Sequence, residues 1–427
     1  MYFVRYIKRF DIKRSKSKRD LLQTGLTDIL LLVTSLIAGV VTARLLGPEG
    51  RGQLAVVMLW PSLFAAVGSL GVRDALVYEQ ARAIQPKAVL TGVAIVLASL
   101  QSFFIILIGW FLIPILTKSQ SSEIVVLTKQ YLIFIFLNLT SLYMGALLQG
   151  KLRIALYNLV RLSVSVVYTL GLLTLWMFDS FNVQNVAYVL LIANAFTTLL
   201  AFIINLIDSG VSLHFHLSLF YSIFTYGIKN HIGSISHMFN ERLDQMVLAL
   251  LLTPKELGWY VVAVSAANIA KVAASPFSQL IFPRLAGQDL DNQRQIVRIH
   301  SRYTLLSTLL LILFLSLALP YLIPVIYGGD FSPSIKSAQV LTFAAFFLGI
   351  GLVWRQALSG MGKPLVASQA EILSLLVTAV GLYFFIPIYG VLGAAWVSLT
   401  AYALAAIYLG LKLKQSLNVS WSLILGG

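Results

Sequence analysis

The sequence predicts an all-α polytopic membrane protein of about twelve transmembrane helices, in two parallel six-helix bundles around a central cavity. Three observations carry that expectation. First, 59% of the 427 residues are hydrophobic and only 11% are charged, whereas a soluble domain averages about a quarter charged residues; mean hydropathy is +0.87. Second, apolar runs recur along the whole chain at a spacing of about 36 residues, which suits a spanning helix of about 20 to 25 residues plus a short connection. Third, polar residues inside those runs fall at helical spacing, and two of the helices carrying such stripes are related by an internal repeat.

In order, the runs cover roughly 21–46, 53–72, 88–117, 124–149, 154–178 and 184–207, then 219–252, 254–283, 301–327, 334–360, 365–387 and 390–411. This organisation gives a basic arm (1–20), an N-terminal bundle (21–210), a C-terminal bundle (211–414) and a short tail (415–427). No large soluble domain fits in what is left. The chain has no Cys, which excludes disulfides, thiolate metal sites and cysteine nucleophiles.

Thirty-one Lys and Arg against sixteen Asp and Glu give +15. In a soluble chain such an excess would point to nucleic acid, but in a membrane chain it reports orientation. With the N-terminus inside, 21 basic residues fall in cytoplasmic segments and six in outer ones. Both termini are therefore expected in the cytoplasm of a multi-pass plasma-membrane protein, and no nucleic-acid partner is expected. The arm from Arg5 to Arg19 is read as an anchor on anionic lipid, worth about 1 kcal/mol per charge near the surface, rather than as the start of a signal peptide.

Sliding the chain on itself aligns Leu46-Gly-Pro48-Glu-Gly-Arg-Gly52 with Leu252-Thr-Pro254-Lys-Glu-Leu-Gly258 at an offset of 206, and Gly150-Lys151 and Ala155 with Gly362-Lys363 and Ala367 at 212. Two landmarks with nearly one period mark a repeat. Six spans per repeat is an even number, so both halves enter the membrane in the same direction and form a parallel repeat.

An ionisable side chain at the bilayer centre costs roughly 2.5 to 3.5 kcal/mol even on the lenient insertion scale, so its direction on the helix is informative. Thr24, Thr27, Asp28, Thr34, Ser35 and Thr42 share one face of the first span. Lys229, Ser236, His237, Asn240 and Asp244 share one face of the seventh, with Glu241 just beyond. Tyr260, Asn268, Lys271, Ser275 and Gln279 share one face of the eighth. Such stripes suit a water-filled cleft between two lobes, although Ser and Thr on helices often bond only their own backbone. Lys271 lies too near the middle of its span to snorkel. Lys229 and Arg355 are nearer an end, and Arg242 points away from its helix's stripe. The candidate substrate ligands are thus Lys229, Asn240, Arg242, Asn268, Lys271, Arg355 and Thr34; Asp28, Glu241, Asp244 and Glu371 are candidate proton or sodium sites, or partners for those cations. The histidines lack metal-ligand spacing, so no metal is expected. With no Walker A loop and no Gly-rich dinucleotide turn, neither an ATP-driven pump nor a cofactor-bearing enzyme is indicated.

Three stretches resemble the Wzx-type oligosaccharide flippases, polysaccharide biosynthesis proteins in the superfamily that also holds multidrug and lipid II exporters. They are Ala43-Arg-Leu-Leu-Gly-Pro-Glu-Gly-Arg-Gly52 with Gly68-Ser-Leu-Gly71; Arg242-Leu-Asp244-Gln with Glu256-Leu-Gly258-Trp-Tyr260-Val-Val-Ala263 and Phe282-Pro283-Arg284-Leu; and Ile326-Tyr-Gly328-Gly-Asp-Phe331 with Gly360-Met-Gly362-Lys. The resemblance implies a V-shaped pair of bundles that exports lipid-linked sugars on a polyprenyl diphosphate by alternating access. Membrane lipids, and a polymerase with its chain-length machinery, would be the partners. A cation-coupled drug or lipid exporter of the same superfamily is the alternative, and a membrane acyltransferase or polymerase using His231 or His237 is an alternative of another class.

Overall fold

The computed structural model describes residues 2–213, 217–285 and 287–424; the side chains of residues 2–19, 21, 229, 230, 232–237, 241, 272, 273, 275, 279 and 283 lie outside that description. Among the described residues there is no strand. The helices are α1 (Tyr2–Gly68), α2 (Val72–Arg82), α3 (Lys87–Leu116), α4 (Ser122–Tyr131), α5 (Ile133–Gly150), α6 (Ile154–Met177), α7 (Val183–Ser209), α8 (Leu217–Leu251), α9 (Pro254–Leu285), α10 (Leu290–Tyr327), α11 (Ser334–Gly360), α12 (Pro364–Leu417) and α13 (Trp421–Ile424).

Eight helical stretches in the described residues are long and apolar enough to cross a membrane, or nine if the bent pair Pro254–Lys271 and Pro276–Phe282 counts as one. Two of the eight are each interrupted by a glycine. Gly47 breaks α1 at φ 68° and Gly390 breaks α12 at φ 53°, conformations that favour a residue without a Cβ. Each of these long stretches therefore covers two of the runs expected from the sequence.

Packing divides the chain into two units. The first holds residues 1–45, 57–116 and 121–232, the second 46–56, 117–120 and 233–427. In the first, α5 packs on α3, α2 and α7, and α6 on α7, burying Leu97, Ile135, Leu139 and Tyr143. Residues 217–232 stay with this unit because α8 begins against α2: Ser222 donates to Glu79 at 2.9 Å, Tyr226 stacks on Tyr78 at 4.5 Å, and Gly227 meets Gly71 with no room for a Cβ on either. In the second unit α11 lies between α9 and α12 over a core of Ile281, Leu285, Val353, Trp354 and Leu413.

Local geometry repeats along the chain. After α5, Lys151 N donates to Leu147 O and Arg153 N to Leu148 O; after α11, Met361 N donates to Ala357 O and Lys363 N to Leu358 O. Leu152 and Gly362 take the same left-handed conformation, at φ 55° and 77°. These paired turns correspond at an offset of 210, two residues short of the 212 read from the Gly-Lys identity. The helix-ending hydrogen bonds define the register, and a short run of identities does not. A second repeat contact lies within the second unit. A Cβ on Gly52 would sit 1.7 Å from the Pro254 carbonyl oxygen, and one on Gly258 would sit 1.9 Å from that of Pro48. Shifting by 206, the offset between the two Gly-containing turns in the sequence, turns one of these contacts into the other.

Candidate functional site

Polar side chains from four helices of the second unit converge around two adjoining cavities. From α8, Asn240 and Asp244 stand four residues apart on one face and are both buried. Asn240 donates through Nδ2 to the Glu371 backbone oxygen at 2.9 Å and to its carboxylate. Arg355 of α11 forms an ion pair with the same carboxylate of α12. These three line a cavity of about 40 Å³ with Ser374 and Tyr402, room for one or two waters. Asn240 Oδ1 and Ser374 Oγ are buried on its wall without a hydrogen-bond partner, acceptors available to a small polar guest.

The second cavity is lined by Asp244, Asn268, Lys271, Ser398 and Tyr402; Tyr402 and Leu348 belong to both walls. Tyr260 of α9, fully buried, donates its hydroxyl to Asp244 Oδ2, while Gln245 N donates to Oδ1 at 2.7 Å. The carboxylate is thereby held toward the cavity that Lys271 also lines. Together the two cavities offer a guanidinium, an ammonium, two carboxylates and several hydroxyls. Such a lining can exchange hydrogen bonds with a polar, anionic guest, or pass a cation between carboxylates.

The expected residues distribute unevenly. Asn240, Asp244, Asn268, Lys271, Arg355 and Glu371 line these cavities. Arg242, expected among the substrate ligands, does not: it is exposed and donates to Gln245, one turn along on the same helix, at 3.3 Å, because it lies off the face of α8 that carries Asn240 and Asp244. Lys229, Glu241 and His237 lie outside the described side chains. Thr34 and Asp28 belong to the first unit. Thr34 donates to Leu30 O, and Thr24, Thr27, Ser35 and Thr42 likewise return to carbonyls of their own helix, the backbone-bonding role open to hydroxyls on any helix. Asp28 forms an ion pair at 2.8 Å with Arg161, which lies seven residues inside α6. His231 contacts Val67 O at 3.0 Å. Ser374, Ser398 and Tyr402 were not foreseen, though their spacing carried a signal: Ser374 follows Glu371 by three residues and Tyr402 follows Ser398 by four.

The Arg355–Glu371 pair, each side chain less than one-fifth exposed, is expected to behave as a coupled unit. Arg355→Met alone takes the guanidinium away from a largely enclosed carboxylate and should cost about 3 to 5 kcal/mol, whereas Arg355→Met with Glu371→Gln should recover much of that. A double-mutant cycle on thermal unfolding checks this; additive losses would show that the two side chains do not interact.

Comparison with known proteins gives one family model, described as polysaccharide biosynthesis protein, matching residues 4–287. Among curated relatives, a putative O-antigen transporter of Shigella flexneri is 22% identical over 369 residues, covering 83% of this chain and 87% of that protein. A probable low-salt glycan biosynthesis flippase, Agl15 of Haloferax volcanii, is 20% identical over 222 residues, covering 48% of this chain but only 47% of that protein. Several solved structures share the fold, among them the following two. One is the lipid II flippase MurJ in an inward closed conformation, with a TM-score of 0.77 and 14% identity over 92% of this chain and 87% of that chain. The other is an inward-facing multidrug resistance MATE family transporter of the MOP superfamily, with 0.76 and 15% over 93% and 98%.

Proposed function

We propose, for a chain that belongs to the polysaccharide biosynthesis protein family, that it is a flippase carrying oligosaccharides linked to a polyprenyl diphosphate from the inner to the outer leaflet. The membrane would be a prokaryotic plasma membrane, the process alternating access through twelve spans, and the purpose assembly of capsule, O-antigen or exopolysaccharide. The single observation behind this reading is the pair of adjoining cavities in the second unit, where Lys271 and Arg355 accompany Asn268, Ser398 and Tyr402.

Sugar hydroxyls left without partners in hydrocarbon cost roughly 4 to 8 kcal/mol each against an alkane reference, so an oligosaccharide does not cross about 30 Å of lipid unaided. Side-chain amides and hydroxyls substitute for the lost water. Cations meet the diphosphate by charge-assisted hydrogen bonds, and the prenyl tail stays in lipid. The excess of basic residues on one side supports cytoplasmic termini, and a polymerase with its chain-length machinery would take the product at the outer face. The relatives and neighbours named above are described as transporters and flippases.

Deletion of the protein should make lipid-linked oligosaccharide accumulate facing the cytoplasm; unchanged transfer to the outer face overturns the proposal. The two cavity-lining carboxylates, Asp244 buried and Glu371 partly so, favour a second reading, a cation-coupled exporter of drugs or lipids. Under it, Asp244→Asn or Glu371→Gln would remove proton- or sodium-dependent dye efflux from reconstituted vesicles.

A further inference from the structure

The cavity-lining cations Lys271 and Arg355 lie in the second unit, but the first unit has a polar inlay of its own. It is built from α1, α2, α5 and α6. Tyr157 is its centre. Arg73, just inside α2, reaches its hydroxyl at 3.4 Å while also donating to Gln149 Oε1 at 2.9 Å and Asp74 Oδ1 at 2.8 Å. Arg161, one turn along α6 from Tyr157, stands over its ring at 5.5 Å and donates through Nη2 to Asp28. Arg161 lies seven residues into α6 and Asp28 six residues past Leu22, where the first apolar stretch begins, so the pair sits about 10 Å beyond the start of α6 and of that apolar stretch. Beside it, Asn158 donates to Thr24 at 3.1 Å, and its own Oδ1, with that of Gln23 (Oε1), is buried without a partner.

A structural role would seal these charges, yet they are open. The two guanidinium side chains are 33% exposed, and their carboxylate partners more so, Asp74 at 46% and Asp28 at 55%. Ion pairs this exposed contribute little to stability, so their partners can be exchanged. Two planar guanidiniums, each with nitrogens in excess of its carboxylate's needs, match the several oxygens of a diphosphate ester better than they match two single aspartates. The orphaned carbonyl oxygens of Asn158 and Gln23 accept what a diphosphate lacks and a sugar supplies, hydroxyl protons.

We propose that the N-terminal unit carries a diphosphate site of its own, made by Arg73 at the hydroxyl and Arg161 over the ring of Tyr157, with Asp28 and Asp74 as counter-ions that the ligand displaces. It receives the head group of the lipid-linked substrate at the end of the unit that the charge bias assigns to the cytoplasm. The inference rests on the flippase reading for its ligand class, and on the first unit alone for its geometry.

The test is calorimetric titration of the full chain in nanodiscs of neutral lipid with geranylgeranyl diphosphate. Arg161→Gln and Arg73→Gln should each weaken binding at least tenfold, Arg161→Lys should recover part of it, and Asp28→Asn should tighten it several-fold by removing a competitor. If Asp28→Asn weakens binding as much as Arg161→Gln, the pair is merely structural and the proposal falls. It falls equally if Arg161→Gln binds like the wild type, or if phosphatidylglycerol in the nanodisc abolishes the Arg161-dependent heat, which would mark a general anion surface. Inorganic pyrophosphate competing at the same site supports recognition of the phosphates themselves. Each variant is first checked for an unchanged unfolding midpoint, and Arg161→Lys carries the test should Arg161→Gln fail to fold. Loss of Arg161-dependent binding with intact sugar flipping would remove this site and leave the flippase reading standing; binding as expected with no flipping in vesicles would do the reverse.

Discussion

Gly258→Ala is expected to leave little folded protein. The new Cβ would lie 1.9 Å from the Pro48 carbonyl oxygen and 2.8 Å from its carbon, and Gly52→Ala would put one 1.7 Å from the Pro254 oxygen. Both obstacles are backbone, so no rotamer change relieves the clash; whole chain segments must separate. Overpacking of this kind costs about 1 to 3 kcal/mol where side chains can yield, and more where they cannot, against a total stability of about 5 to 15 kcal/mol. Gly39→Ala is the control, since nothing lies within 4 Å of its Cβ position and alanine favours a helix interior. The unfolding midpoint of detergent-purified protein should drop by more than about 5 °C for Gly52 or Gly258 and hold or rise for Gly39. Equal midpoints for all three would refute the close approach.

The second large effect concerns transport rather than stability. Lys271→Ala should cut export by about 10- to 100-fold, corresponding to one charge-assisted hydrogen bond of roughly 1.5 to 3 kcal/mol lost from the transported complex, while the protein still inserts. Lys271 lines the cavity that Asp244, Asn268 and Ser398 share, so its removal enlarges a polar void without uncovering the helix core. Lys271→Arg keeps the charge and should keep most of the output. Surface polymer from cells carrying each variant, normalised to membrane protein level, measures this. Normal output from Lys271→Ala would take that lysine out of the transport path.

Much of this was legible before any coordinates. Composition alone placed the chain in a membrane, because so few charged residues cannot cover a soluble surface of this size. The runs of apolar residues located the helices, and the Leu46-Gly-Pro48 turn located the break in α1 at Gly47. Helical spacing singled out Asn240, Asp244 and Lys271, which do line cavities; Arg242, counted among the ligands for its charge although it points away from the stripe, does not. It was less reliable for hydroxyls: Thr34 lies on a polar face but bonds its own helix. Ser398 and Tyr402 escaped notice because nothing in their own span carries a charge to draw attention.

What the sequence by itself determined is a property of each helix in isolation: its length, its apolar stretch, the face on which polar groups gather, and the repetition of those patterns in the second half. Only the tertiary structure decided which faces meet. Asp28 pairs with Arg161 across 133 residues of chain and Asn240 with Glu371 across 131, and no local period encodes the rotation and depth at which one helix lies against another. That is set by side-chain packing, including the absence of a Cβ at Gly52 and Gly258, and it turns separate polar stripes into cavities, ion pairs and a candidate path.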